Sequence, residues 1–216
     1  MVYSPQEVIP RADFVFIHGL RGDQVKTWCY KGSDKYFWLR DWLPKHPELK
    51  SARIWTFGYD SDFLSIGPGN VSDLSDFARS LLVSMKLSTH GILTEYQVPI
   101  GKIPLIIVAH SMGGLVAKNA FIFGQEKEIY SDIATATCAI VFMATPDGGS
   151  KLALVLQKIT KALGIVIPHK AYVDELIPSS ETLKCMSTRF RDCAEGLDIY
   201  SLYETIRTRI APFWKV

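Results

Sequence analysis

Short runs of apolar residues recur along the chain, and between them the apolar positions repeat at helical spacing. Each run is four to seven residues long and is mostly unbroken by polar alternation. Such runs are typical of parallel strands that are buried on both faces of a sheet. The pattern predicts five strands, at residues 14–17, 53–57, 105–108, 138–143 and 197–203.

Helical segments separate these strands. Between the second and third strands, apolar residues recur every three or four positions from Val71 to Met85, with acidic residues near the N-terminal end, where the helix dipole favours them. A second helical pattern begins at Leu115, and Gly124 is its predicted C-terminal stop. Residues from about 150 to 195 show no strand, and a helical stripe runs through 152–166, so we interpret this segment as a helical insertion. The alternation predicts a single α/β domain over residues 1–216, a mostly parallel sheet with helices on both faces.

Composition narrows the class of protein and its partners. Hydrophobic residues make up 48% of the chain and charged residues 21%, which is too apolar for a disordered protein. The net charge of +2 gives no reason to expect nucleic acid as a partner. The four cysteines show no zinc-binding spacing, so we expect no metal and no cofactor, and Cys138, inside an apolar run, is expected to be buried. Without a signal peptide or a membrane-spanning run, an intracellular, cytosolic location is predicted.

The sharpest local motif surrounds Ser111. It follows a buried strand and precedes a helix, with Ala109 two residues before it and Gly113 two residues after it. In a G-x-S-x-G nucleophile elbow these two positions must be small, because the serine occupies a strained turn where strand and helix pack closely. Alanine replaces the first glycine here but is still small, and Gly114 adds clearance. The motif predicts that Ser111 is a nucleophile.

A second motif ends the first strand, at His18-Gly19-Leu20. Carboxyl ends of parallel strands meet at one sheet edge, so this loop is expected beside Ser111. Acyl transfer requires two N–H donors for the developing oxyanion, and the backbone amides of Met112 and Leu20 are the candidates. His18 is interpreted as a residue that braces the loop and not as a general base, whereas His110 is expected to point away from the nucleophile.

Taken in order, four segments resemble one family. They are residues 16–23 with Thr27 and Trp28, residues 109–114, residues 142–150 and residues 201–205. Together they resemble the lipase-like serine esterases of the α/β-hydrolase superfamily, and more narrowly the serine-active-site-containing proteins. They are also similar to the N-terminal hydrolase-like domain of fungal proteins that continue into NACHT or NB-ARC modules with ankyrin or tetratricopeptide repeats. The resemblance implies an α/β-hydrolase fold, an ester or lipid substrate, peripheral membrane contact, and association with the endoplasmic reticulum or mitochondrion.

The resemblance also indicates where the remaining triad residues belong. In this superfamily the order is serine, acid, histidine, and the acid usually follows the strand after the insertion. Glu204 is therefore the expected acid, and Asp147 is the alternative, since some lipases take their acid from that turn. All five histidines precede Glu204. We therefore expect the domain to be C-terminally truncated, without its last strand and the loop that carries the catalytic histidine.

Two functions follow from these motifs. The first is a serine hydrolase that cleaves a carboxylic or lipid acyl ester through an acyl-enzyme on Ser111, with little activity in this form of the chain. The alternative is a non-catalytic sensor or interaction module of a larger signalling protein, which would have protein partners.

Overall fold

The structure is a computed structural model, and it describes residues 1–6, 8–20, 22–61, 74–88, 98–145 and 180–203. Within these residues five strands form one parallel sheet, in the order β2-β1-β3-β4-β5. The strands are β1 Ala12–Ile17, β2 Ala52–Phe57, β3 Leu105–His110, β4 Thr137–Met143 and β5 Asp198–Leu202. All five predicted strands are confirmed, and none of their ends is displaced by more than about two residues, the usual uncertainty of such boundaries.

Both faces of the central strands are buried, which explains the unbroken apolar runs. Val15 on β1 and Ile107 on β3 face one side of the sheet and belong to the larger core cluster. Phe16, Ile54 and Val108 face the other side and belong to a second cluster. Because successive side chains of a strand alternate between the faces, a strand that is covered on both sides needs apolar residues at every position.

Helices cover both faces, as predicted. The described helices are α1 Trp38–Asp41, α2 Leu74–Leu87, α3 Gly113–Glu126, α4 Ser131–Ala136 and α5 Ser180–Cys193. On one face α3 packs between α2 and α5, and its buried Leu115 joins the larger core. The opposite face is covered by α1 and the short 3₁₀ turns that precede it, where the Trp28 ring meets the Phe16 ring edge-on at 5.1 Å.

Gly124 does not end its helix, so that prediction is wrong. The helix α3 continues to Glu126. A Cβ atom at Gly124 would lie 3.0 Å from the Cβ atom of Ala134 in α4. The glycine therefore allows two helices to approach each other, a tertiary requirement that a stop signal in the sequence does not distinguish.

Cys138 is exposed, which corrects the prediction that it is buried. Leu105 pairs with Thr137 and Ile106 pairs with Ala139, so Cys138 is the extra residue of a bulge at the start of β4. A bulge breaks the alternation of side chains between the two faces. The Cys138 thiol consequently lies 3.5 Å from the carbonyl oxygen of Leu105, to which it donates a weak hydrogen bond.

The predicted insertion is only partly described. Its last portion forms α5, while residues 150–179, which include the helical stripe, lie outside the described residues. In the part of the chain that the structure covers, no helix is both long and apolar enough to cross a bilayer.

Candidate active site

Ser111 occupies the sharp turn between β3 and α3. Its φ of 52° lies in the left-handed region, which residues with a Cβ atom adopt rarely because of steric crowding. Two hydrogen bonds hold this backbone: the Ser111 N–H donates to Met143 O at 2.8 Å, and the Ser111 carbonyl accepts from Gly114 N–H at 3.0 Å. A strained residue held by its surroundings at a strand-to-helix turn is the geometry of a nucleophile elbow.

The glycines after Ser111 are required by close contacts. A Cβ atom at Gly113 would collide with the carbonyl oxygens of Ile17 and His18, at the end of β1. A Cβ atom at Gly114 would collide with the Thr145 side chain. The start of α3 therefore lies against β1 and against the segment that follows β4, and larger residues would push the helix away from the sheet.

Ala109 stands where the elbow pattern usually has glycine. It is fully buried and lies in register with Ile17 on β1 and Phe142 on β4. The sheet thus accommodates a methyl group at this position, and Ser111 still adopts the elbow conformation.

The loop that follows β1 touches the nucleophile. We call residues 18–20 and 22–25 the β1 loop. A Cβ atom at Gly19 would lie 2.8 Å from the Cβ atom of Ser111 and 3.0 Å from the carbonyl oxygen of His110. The β1 loop and Ser111 therefore meet at one edge of the sheet, where the sequence placed them. Because only glycine permits this approach, the residue type follows from the contact.

The two candidate oxyanion donors are neighbours. The side chains of Leu20 and Met112 are buried together, and Tyr59 and Leu74 pack against them. The hydrogen bond from Gly114 N–H to Ser111 O fixes the peptide between Ser111 and Met112, and in a trans peptide the N–H points opposite to the carbonyl. Among the described residues no acceptor binds the amide of Leu20 or Met112. Their role as oxyanion donors stays a prediction that this geometry permits.

His18 is buried and bonded through both ring nitrogens. Its Nδ1 lies 2.9 Å from Gly19 O, and its Nε2 lies 3.3 Å from Tyr59 N. A backbone N–H can only donate, so Nε2 accepts, and we assign the neutral tautomer in which Nδ1–H donates to Gly19 O. Burial lowers the pKa of His18, against the opposing effects of the Gly19 hydrogen bond and the Asp23 charge. Because both nitrogens of this neutral imidazole form hydrogen bonds with the backbone, His18 stabilises the β1 loop, and neither nitrogen is available for proton transfer.

Asp23 organises the far end of the β1 loop. Its Oδ1 accepts hydrogen bonds from the backbone N–H groups of Val25 and Lys26, at 2.8 and 2.9 Å. The N–H of Asp23 donates in return to Thr27 Oγ1 at 3.0 Å. The bonds from Lys26 and Val25 lower the pKa of Asp23. This reciprocal capping explains why Asp23 and Thr27 occur together in the motif.

The candidate acids, Glu204 and Asp147, lie outside the described residues. The strand before Glu204 does end at the edge that carries the nucleophile, since Leu202 is in register with Met143 and Met143 with His110. Their assignment as triad acids stays a prediction.

The histidines other than His18 lie in different surroundings. His46 is exposed at the surface, whereas His110 is half-buried. The His110 Nδ1 atom would be 3.2 Å from a Cβ atom at Gly19, so this imidazole borders the β1 loop. His90 and His169 lie outside the described residues.

Tyr59 is a site residue that the sequence analysis did not identify. Its hydroxyl donates to His18 O at 2.8 Å, and its ring stacks on the His18 imidazole with centroids 4.4 Å apart. A signal was available, because Tyr59 follows the end of β2 by two residues and thus lies at the functional edge of the sheet.

The described residues contain no group of three or more His, Cys, Asp or Glu side chains placed to hold a metal ion.

No family model matches the chain. The human and zebrafish proteins named Protein SERAC1 are each 28% identical to it over 225 aligned residues. The alignment covers 95% of this chain but 32% of each relative, so the chain spans about a third of the length of the curated relatives it matches. This similarity does not bear on the resemblance to fungal NACHT proteins, which stays a prediction.

Solved structures with a similar arrangement include a lipase, an esterase and a cutinase-like protein, all at low sequence identity. A Staphylococcus hyicus lipase is 16% identical and covers 89% of this chain and 59% of its own, with a TM-score of 0.41. An esterase B from Lactobacillus rhamnosis is 12% identical, with coverages of 90% and 65% and a TM-score of 0.44. A cutinase-like protein from Cryptococcus sp. is 11% identical, with coverages of 90% and 100% and a TM-score of 0.43. The strand order and the strained serine after β3 carry the conclusion: the chain has an α/β fold with the nucleophile elbow of the α/β-hydrolases.

Proposed function

We propose that the protein is a serine hydrolase that acts on carboxylic esters. Ser111 Oγ attacks the ester carbonyl carbon, the carbonyl oxygen becomes an oxyanion, and the amides of Met112 and Leu20 stabilise it. Collapse of this intermediate breaks the bond to the alcohol, which leaves with a proton, and forms an acyl-enzyme on Ser111. Attack by water then releases the acid and restores the hydroxyl. The left-handed backbone of Ser111 beside Gly19 is the observation that carries this proposal.

The triad is completed in the proposal by an acid and a histidine. We assign the acid to Glu204, with Asp147 as the alternative. A histidine oriented by that carboxylate would take the proton from Ser111 Oγ and return it to the leaving alcohol. His18 is not proposed as this base, because its two ring nitrogens already bind Gly19 and Tyr59.

The substrate class is a lipid or another acyl ester, and the chain is proposed to belong with the serine-active-site-containing proteins. Two findings support this: the similarity to Protein SERAC1 over 95% of the chain, and the α/β fold with its nucleophile elbow.

The test is covalent labelling with a fluorophosphonate probe, which reacts with activated serines. The purified chain and the longest natural form of the protein that contains it are both treated. We expect labelling that is abolished by Ser111→Ala and unchanged by Ser131→Ala, a matched control at an exposed serine. If neither form labels at Ser111 while both are folded, the hydrolase proposal is wrong, and the non-catalytic module is favoured.

A further inference from the structure

The orientation of one peptide decides whether the β1 loop can bind an oxyanion. That peptide joins Gly19 to Leu20, and in the trans form its C=O and N–H point in opposite directions. Two donors reach the Gly19 carbonyl: the Gly22 N–H at 2.9 Å and the His18 Nδ1 at 2.9 Å. Holding the carbonyl in this direction holds the Leu20 N–H on the other side of the peptide. A flipped peptide would present the carbonyl oxygen and repel the oxyanion.

His18 can hold that carbonyl only while its ring stays in place. The imidazole is buried, and its hydrogen bonds and its ring stacking among the described residues are with Tyr59 and Gly19. The Tyr59 N–H binds Nε2, which selects the tautomer with a proton on Nδ1. The Tyr59 ring lies nearly parallel to the imidazole, with an interplanar angle of 9°.

Tyr59 also holds the backbone of the β1 loop directly. Its hydroxyl donates to His18 O at 2.8 Å, and its ring packs against the side chains of Leu20 and Met112. The rings of Phe57 and Phe77 pack against the Tyr59 ring, with centroid distances of 5.6 and 4.7 Å. Burial raises the pKa of Tyr59 well above its ordinary value, so the phenol stays protonated and remains a donor.

We propose that Tyr59 is a positioning residue that acts through His18 to set the direction of the Leu20 N–H in the oxyanion hole. The inference rests on the proposed function and adds to it a residue that touches no reacting atom. Tyr59 holds the His18 imidazole in place, and the imidazole orients the Gly19 carbonyl. The direction of this carbonyl sets the direction of the Leu20 N–H, which is the oxyanion donor.

The experiment compares two substitutions at Tyr59 with a matched one elsewhere. Tyr59→Phe removes only the hydroxyl, while Tyr59→Leu also removes the stacked ring. The control is Tyr3→Phe, which deletes a similar hydrogen bond from a tyrosine hydroxyl to a backbone carbonyl, Lys50 O at 3.0 Å. All variants are measured at a temperature where each is folded.

The first readout is the second-order rate constant of fluorophosphonate labelling at Ser111. Loss of one oxyanion donor costs roughly 10²- to 10³-fold in rate, and a displaced donor costs somewhat less. We expect the rate constant to fall by roughly 10-fold in Tyr59→Phe and roughly 100-fold in Tyr59→Leu. Tyr3→Phe should keep the wild-type rate.

The second readout does not require reactivity. In ¹H–¹⁵N spectra, the Leu20 amide signal and the His18 ring-nitrogen shifts should move in both Tyr59 variants and stay in place in Tyr3→Phe. The rate constants are measured on whichever wild-type form labels; if neither form labels, the proposed function fails, and the spectra alone decide the role of Tyr59. Unchanged Leu20 and His18 signals in folded Tyr59→Leu would overturn the inference, as would wild-type labelling by that variant.

Discussion

At the scale of single residues, Ser111 is where the fold is locally strained. Its left-handed φ is held by hydrogen bonds to Met143 and Gly114, and the neighbouring Gly19 and Gly113 leave room for it. A non-glycine residue in this region costs about 1–2 kcal/mol. This conformation places the serine at the tip of the turn. The placement of the nucleophile therefore lowers the stability of the fold at this position.

This strain predicts the effect of glycine at position 111. We expect Ser111→Gly to raise the free energy of unfolding by about 1 kcal/mol relative to Ser111→Ala, because glycine adopts φ > 0 without a steric penalty. Denaturant unfolding measures the difference. The matched control is Ser84, an exposed position inside α2.

At Ser84 the same two substitutions should rank in the opposite order. Glycine in a helix interior costs about 1 kcal/mol relative to alanine. If Ser111→Gly proves less stable than Ser111→Ala, as at Ser84, the turn is not strained in solution.

At the scale of elements, a buried ion pair joins β1 to β2. Arg53 binds Asp13 through two hydrogen bonds of 2.7 Å, and both side chains are buried. Trp55 Nε1 also donates to Asp13, at 2.8 Å, and Arg53 reaches Val98 O. Asp13 and Arg53 are register partners near the amino-terminal ends of β1 and β2, whereas Ser111 lies beyond the carboxyl-terminal ends of the strands. The pair therefore stabilises the register between β1 and β2. The other ends of these two strands lead into the β1 loop and Tyr59.

Removing one member of this pair should be strongly destabilising. We expect Asp13→Asn to lower the free energy of unfolding by about 3–5 kcal/mol, because it leaves the Arg53 guanidinium buried without a counter-charge. The control is Asp41→Asn. Arg40 and Asp41 form a bidentate pair with similar distances of 2.8 and 2.9 Å, but at the exposed surface.

Solvent screens the surface pair, so Asp41→Asn should change stability little. A double variant that replaces Asp13 and Arg53 by leucine and methionine should recover much of the loss, since apolar residues need no counter-charge. Equal stabilities of Asp13→Asn and Asp41→Asn would show that the buried pair does not hold the strands.

At the scale of the whole molecule, stability should depend on pH in two stages. Burial lowers the pKa of His18 below the ordinary value near 6.5, so the unfolded chain binds the proton more readily than the folded one. The free energy of unfolding therefore falls as pH drops below about 6.5 toward the folded pKa. Backbone hydrogen bonds from Lys26 and Val25 lower the pKa of Asp23, and this contribution is lost only at pH values below about 4.

Denaturant unfolding between pH 8 and pH 3 separates the stages. In His18→Asn we expect the free energy of unfolding to stay nearly constant through the first stage and to fall as before in the second. His46→Asn, at an exposed histidine, should show both stages unchanged. A first stage that persists unchanged in His18→Asn would mean that His18 is not buried in its neutral form.

Local patterns predicted much of the site as well as the strands. Ser111 and Gly113 are predicted because a tight turn has steric requirements that are expressed within a few residues. Gly124 and Cys138 were misjudged because a close helix contact and a bulge depend on a neighbouring element. The position of Tyr59 just after β2 indicates only that it lies near the functional edge, and its contact with His18 depends on the pairing of β1 with β2.

The sequence by itself determined the class of fold, its five strands and the serine at the elbow, since periodicity and small residues act over short stretches of chain. The tertiary structure alone decided which distant residues meet. Tyr59 meets His18 across 41 residues of chain, and Arg53 meets Asp13 across 40. Both contacts exist because β1 and β2 are paired in one register, and that register is set by the packing of the whole sheet.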